Sequence, residues 1–398
     1  VLMPYEGTVM ESQNQWRRLV KEHFSQIGQE GRESHGPLCA SIWGGMRTSS
    51  VIERVEAITK YELPYEYIWM DAGWYGANTK PTPDEFEGDW PEYTGDWRVS
   101  PLIHTNNLKD VSAAVHKAGK KFLLWFEPEH VKKNVPTALD HPEYFLEIPG
   151  KDDLLLDLGN EKAWQYCFDT IAGMIEEIGI DCYRQDFNTD PLECWRQNDA
   201  EDRLGITEIK HINGLYRLWD ALLEKFPHLI IDNCASGGRR IDIETLRRSI
   251  PLWRSDYQCT ANFCLEGAQS HHLTFNQWMP FSGTGMGRGY DTYRARSSYS
   301  PAFMTNHTFS EREAFGDDPK KMSWLKGILE EYLKRKSTEV RNMLIAEYSY
   351  ETDIKVQRRE AFRLGKEEGA EQTKIETAKN MILQSLGTVE QISSVTGL

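Results

Sequence analysis

Nothing in this chain of 398 residues reads as a metal or disulfide framework: its seven cysteines form no Cys-x-x-Cys pair and no Cys/His spacing of the zinc type. Reduced thiols, and with them a cytoplasmic location, are the expectation that follows. No apolar run approaches the roughly 20 residues that a membrane-spanning helix needs. No basic, apolar and small-residue succession of the secretory kind opens the sequence either. Basic charge is scarce, 46 Lys and Arg against 61 Asp and Glu, and the net charge of −15 opposes attraction to nucleic acid or anionic membranes. A GxGxxG turn after a first strand, the mark of an open doubly wound sheet, is also missing. The stretch SGTGMGRG at 282–289 fails that spacing, lies late, and is read as a flexible loop. Asn306-His307-Thr308 matches a glycosylation sequon and is read as chance.

Aromatic residues, by contrast, are plentiful, with 13 Trp and 17 Tyr. Most belong in a core, yet aromatic faces also pack against the C–H faces of sugars. A neutral or cationic ligand suits the acidic balance better than a polyanion.

From about residue 38 to 310, short apolar runs alternate with helical patterns, the signature of βα units and a parallel sheet. Eight candidate strands lie at 38–45, 65–74, 121–129, 182–188, 229–238, 252–257, 278–286 and 302–309. Helix candidates at 50–62, 107–118, 161–178, 207–225 and 240–248 fall between them, with Gly119 and Gly179 as stop signals. The fold class expected is α/β, a (β/α)8 TIM barrel over 38–335, after a helical lead-in at 1–37 and before a helical C-terminal extension at 336–398. Within these, WRRLVKEHF is the most convincing piece of the lead-in. DDPKKMSWLKGILEEYLKRK is a charged amphipathic helix able to close the barrel, and the last stretch reads as two helices broken at Gly387.

Most of the strands share an apolar first half and end on acidic, aromatic or small polar residues: Asp71, Glu127, Asp186, Cys234 and Asp256 all sit there. The C-terminal face of a barrel carries its chemistry, so these residues read as a ring contributed by several strands. Asp186 and Asp256 are the candidate catalytic pair, since glycoside hydrolysis needs one carboxylate at the anomeric carbon and another to deliver and remove a proton. Arg184 precedes Asp186 by two positions and so shares its side of the strand, where its charge lowers the Asp186 pKa. Asp256 needs a raised pKa to act as the acid. Gly237 and Gly238 allow close backbone approach, Arg240 and Asp242 are expected to pair with each other, and Cys234, lacking a His base, is a small wall of the pocket. His271 and His272, taken as strand neighbours, face opposite sides, one packed and one in solvent, and no metal site is expected.

The motifs DAGW, GDW, WFEPE, LDLGN, YRQDFN, CASGGRRID and WRSD, in this order, resemble the bacterial α-galactosidases, or melibiases, of glycoside hydrolase clan D. The resemblance covers roughly residues 38–310 and implies a (β/α)8 barrel, a retaining double displacement and no cofactor. It places the nucleophile on Asp186 and the acid/base on Asp256. It also implies that Asp71, Trp125, Arg184, Cys234 and Gly237 bind sugar, with Trp74, Asp96, Trp97, Glu127 and Asn188 in motifs of the same site. The partner implied is an oligosaccharide or other α-galactoside, and a homo-oligomer is compatible. Three departures stand out: Ala72 where the family has a second Asp, Arg184 for its Lys, and Gln185 for its Trp. The loss of one carboxylate grip makes α-glycoside a firmer expectation than galactose, with N-acetylgalactosamine or a sugar-binding barrel without hydrolysis as alternatives. The end of the chain resembles the helical tail of transposase-associated nuclease-like proteins, which implies a fused segment.

Overall fold

The structure, a computed structural model, describes residues 3–27, 35–76, 80–84, 87–260, 262–312, 314–344, 369, 372–382 and 388–396. The chain divides into two units, Val1–Ala346 and Glu347–Leu398. In the second, residues 372–382 and Val389–Thr396 are helical; the expected break at Gly387 lies outside the described residues. Among the described residues no helix is long and apolar enough to cross a membrane.

In the first unit, seven strands make one all-parallel sheet: β1 (Leu38–Ile42), β2 (Tyr67–Met70), β3 (Lys121–Phe126), β7 (Cys182–Gln185), β8 (Ile230–Asn233), β9 (Gly283–Gly285) and β10 (Ala302–Thr305). Their order, β8-β7-β3-β2-β1-β10-β9, curls the sheet into a barrel because β10 returns beside β1. The three remaining strands, β4 (His130–Lys132), β5 (Phe145–Glu147) and β6 (Asp153–Leu156), form a separate antiparallel sheet, β4-β6-β5, which the sequence reading missed.

The sixth expected strand is not regular, for an identifiable reason. Residues 250–254 run between β8 and β9 and bond to both: Ile250 N–H to Ile231 O at 2.8 Å, Gly283 N–H to Pro251 O at 2.7 Å, Arg254 N–H to Gly283 O at 3.2 Å. Pro251 has no N–H to give, and the Leu252 N–H turns to the Asp232 carboxylate at 2.8 Å. The ladder is broken, but the seam is bridged. The strand expected at 278–286 is present as β9, which takes in the first part of the Gly-rich stretch.

Strand periodicity sorts the core. Cys39, Trp69, Leu123, Cys182, Ile230, Leu252 and Met304 share one cluster inside the barrel, while their neighbours Ala40, Ile68, Leu124, Tyr183, Ile231 and Phe303 belong to the cluster under the helices. Helix Glu161–Ile178 starts on Asn160, whose side chain accepts from Lys162 and Ala163, and stops at Gly179, whose φ of 79° suits a residue without Cβ. Helix Pro319–Leu344 lays Met322, Leu325, Ile328, Leu329 and Tyr332 on the outer cluster, as expected of a closing helix. Ahead of the barrel, helix Val9–His23 carries a Thr8–Glu11 capping box.

Candidate active site

The inward parity of the strands continues past their C-terminal ends. Trp69 and Asp71 follow from β2, Trp125 and Glu127 from β3, Arg184 and Asp186 from β7, and Asp232 and Cys234 from β8. Arg184, 3% exposed, lies over the Trp69 ring at 4.2 Å, with its Nε 4.0 Å from Asp71 Oδ2. Its guanidinium pairs with Asp232, a carboxylate with no exposure at all. Burial works against the Arg184 charge, but the neighbouring acids, Asp232 first and then Asp186 and Asp71, outweigh it and hold the cation firmly.

Asp186 is gripped on both oxygens. Oδ1 accepts the N–H of Phe187 at 2.8 Å and of Ser236 at 3.1 Å; Oδ2 accepts Asn188 Nδ2 at 3.0 Å and the Trp125 indole N–H at 3.2 Å. Burial would raise its pKa, but the Arg184 charge and these donors win and hold the carboxyl below the usual range. Asp186 is therefore an ionised, oriented carboxylate.

Asp256 begins a short 3-10 turn, Asp256–Cys259, at the end of the bridging segment. Its Oδ1 accepts the Trp253 indole N–H at 2.9 Å. Although the residue faces solvent, partial withdrawal from water pushes its carboxyl up, the Trp253 bond opposes this, and the Asp186 charge adds to the rise. The two carboxyls are thus driven apart, Asp186 downward and Asp256 upward.

Gly237 joins them. Ser236 donates to Asp186, and the next residue forms an antiparallel bridge with Ser255. A Cβ on Gly237 would lie 2.7 Å from Ser255 Cα and 2.8 Å from Asp256 N, at a φ of 81°. Gly237→Ala is accordingly expected to displace Asp256 with the fold retained; NMR shifts at Ser255 and Asp256 together with circular dichroism check this.

The predicted residues differ in exposure and in the partners they keep. Asp71, partly exposed, keeps Oδ2 on the Trp69 indole at 2.8 Å and Oδ1 on Ala72 N–H at 2.9 Å, and burial raises its pKa despite Arg184. Trp125 and Asn188 touch Asp186 directly, and Asn188 Oδ1 accepts from Ser236 Oγ at 2.8 Å. The Cys234 thiol is buried, accepts the Gly237 N–H at 3.3 Å, and is pushed far up by burial, which fits a wall and not a nucleophile.

The remaining residues named from the sequence lie deeper in the packing, or make other partners, than expected. Trp74 has no exposed surface: its indole donates to the Trp125 carbonyl at 2.9 Å, so it supports Trp125 from beneath. Trp97 is wedged against Trp74, Tyr75, Trp125 and Phe126, and its neighbour Asp96 is bound by Arg98; the half-buried Trp90, edge-on to Trp125 at 6.3 Å, is the more open aromatic. Glu127, 2% exposed, is spent on His130 and on the Asn188 N–H. Arg240 pairs with Glu129 and not with Asp242, which caps helix Ile243–Leu246. His271 and His272 lie on helix Leu265–Asn276, not on a strand; His272 is buried against Arg254. Among the described residues no group of three His, Cys, Asp or Glu is placed to hold a metal.

Sequence reading missed Asp232, Trp69, Ser236 and Trp253. Asp232 had a readable signal, an acid in the middle of an apolar strand at the inward parity of Cys234. The donors Ser236 and Trp253 had none beyond their place beside the motifs.

A family model described as Melibiase matches residues 3–262. The α-galactosidase AgaA of Geobacillus stearothermophilus is 28% identical over 265 residues, covering 64% of this chain and 35% of that protein. An Escherichia coli α-galactosidase is 30% identical over 204 residues, 49% of this chain and 26% of its own. The crystal structure of the GH36 α-galactosidase AgaA superposes with a TM-score of 0.68 at 20% identity, over 81% of this chain and 45% of that one. An AgaA variant in complex with raffinose gives 0.69 at 19% identity, over 83% and 46%. These likenesses support the barrel fold. The chain spans about a third of the length of the AgaA protein, 35%, and about a quarter of the Escherichia coli one, 26%.

Proposed function

The chain belongs to the melibiase family, and from that premise we propose that it is a retaining α-glycosidase, an α-galactosidase acting on terminal α-galactosides of oligosaccharides. The observation that carries this is the pair of unequal acids: Asp186 held ionised by Arg184 and four N–H donors, and Asp256, across Gly237, with its carboxyl pushed up. In the reaction, Asp256 gives its proton to the glycosidic oxygen as the bond to the anomeric carbon breaks. Asp186 forms the new bond from the opposite face, making a glycosyl ester. Asp256, now a carboxylate, takes a proton from water, whose oxygen displaces Asp186 and releases the sugar with its configuration kept. This requires the two carboxyls about 5–5.5 Å apart. Asp71, partly exposed, would contact the sugar, with Trp125, buried and bonded to Asp186, behind it and Arg184 setting the charge beneath. Raffinose and stachyose, bound by structural relatives according to their titles, are the oligosaccharide class to try first. All seven cysteines are free, which supports a reducing compartment such as the cytoplasm.

A screen of aryl glycosides tests the reading: the α-galactoside is cleaved and the β-galactoside is not. The pH profile of kcat/KM should be bell-shaped. Activity needs Asp186 ionised, so the acidic limb falls below the ordinary carboxylate range. It needs Asp256 protonated, so the alkaline limb lies above that range. Reversal of those limbs on mutating each acid in turn would exclude the assignment. Ala72, at 2% exposure where the family has an Asp, favours one rival, a barrel that binds α-galactosides without cleaving them. Calorimetric binding of raffinose with no product over the α-glycoside panel would select it.

A further inference from the structure

Between β3 and β7 the chain leaves the barrel to build the antiparallel sheet β4-β6-β5, which the two-acid chemistry alone does not require. His130 opens β4, three residues after Glu127. Its Nδ1 lies 3.1 Å from Glu127 Oε1 and its Nε2 3.4 Å from Asp153 Oδ1. Lys132, two residues along the same face of β4, meets that Asp153 oxygen at 2.6 Å. Glu127 in turn accepts the Asn188 backbone N–H, and the Asn188 side chain donates to Asp186 Oδ2 at 3.0 Å. A carboxylate as buried as Glu127 is costly without a cation beside it. Among the described residues, His130 is the ion-pair partner it has.

We propose that His130 is a positioning residue: carried by the side sheet, its imidazolium neutralises Glu127, which thereby fixes Asn188 and, through Asn188, the carboxylate of Asp186. The proposal rests on Asp186 being the nucleophile of the reading above. The electrostatics agree. Burial would lower the His130 pKa, but Glu127 and Asp153 outweigh it and raise it; burial raises Glu127, which His130 partly offsets and Asp186 increases. The charged groups around the imidazole are thus Glu127 on one side, Asp153 with its Lys132 on the other, and Asp186 beyond Glu127. The stability His130 adds is fully present below its unfolded value of about 6.5 and is lost as pH rises through its higher folded value. Above that point the Glu127 anion stands beside the Asp186 anion with one cation fewer.

The test combines kinetics on the full chain with NMR titration of the His130 ring. His130→Gln should lower kcat about tenfold with KM within about twofold, and should remove from the wild-type kcat profile the component that tracks the ring's titration while leaving the alkaline limb set by Asp256. The double variant Glu127→Gln/His130→Gln, with no buried charge left to balance, should recover part of that loss. The wild-type ring should titrate above about 6.5, and below its wild-type midpoint in Glu127→Gln. Unchanged kcat and pH profile in a folded His130→Gln chain, a double variant no better than the single, or a wild-type midpoint at or below about 6.5 overturns the proposal. A wild type that cleaves no α-galactoside while His130 still titrates high overturns the role of Asp186 and the positioning claim with it, and the midpoint separates that failure from one in the ion pair.

Discussion

Asp186→Ala is expected to abolish turnover of an aryl α-galactoside, on the order of 10⁴-fold or more in kcat, while leaving the chain folded. The physical basis is that no other carboxylate in the cleft has this environment. Asp71 is committed to Trp69 and Ala72 with its pKa raised, and Glu127 is buried against His130. Arg184 keeps Asp232 as its counter-ion, so removal of Asp186 does not strand a buried cation. Azide should restore part of the rate, because a small anion can enter the space the carboxylate leaves. It attacks from the face Asp186 used, so the product is the β-galactosyl azide, of inverted configuration. Azide-independent, near wild-type turnover would remove Asp186 from the role, and recovery of the α-azide would mean that the vacated face is the wrong one.

The largest expected effect on stability is at a residue outside the catalytic pair. Asp232→Ala leaves the Arg184 guanidinium without its buried partner and the Leu252 N–H without an acceptor. Breaking one side of a buried ion pair typically costs about 3–5 kcal/mol, and the Asp71 and Asp186 charges near Arg184 put the expectation at the lower end. Because Asp232 also replaces a backbone acceptor in the seam between β8 and β9, the loss should open the barrel at residues 250–254. Urea denaturation measures the first effect and amide exchange at Leu252 the second. Replacing both members, Arg184→Met with Asp232→Leu, should be less destabilising than Asp232→Ala alone. A single variant within about 0.5 kcal/mol of wild type, inside the ordinary surface-mutation scale, would contradict the account of the seam.

What the sequence made readable was whatever depends on local periodicity. Helix 161–178 is legible to the residue because a helical pattern and a glycine stop agree, and the structure adds the Asn160 cap. The inward parity of Arg184 with Asp186 followed from strand geometry, and so did the direction of the charge effect between them. What stayed hidden depends on contacts between distant segments. Arg184 and Asp232 are 48 residues apart. The side sheet, made of HVK, FLE and DLLL, is too short and too charged to show alternation. Trp74 and Trp97 look alike in motif terms, and only packing reveals that their rings fill the floor under Trp125. The histidine pair was misplaced on a strand because SHHLTF carries no cap or periodic signal strong enough to decide its helix.

The central claim, that an ionised Asp186 and a protonated Asp256 face one anomeric carbon from opposite sides, is tested most directly by the configuration of the first sugar released. Proton NMR of an aryl α-galactoside digest, followed from the first minute before mutarotation, should show the α-anomer appearing ahead of the β. A β-anomer formed first would mean single displacement by water, and would contradict the covalent role assigned to Asp186.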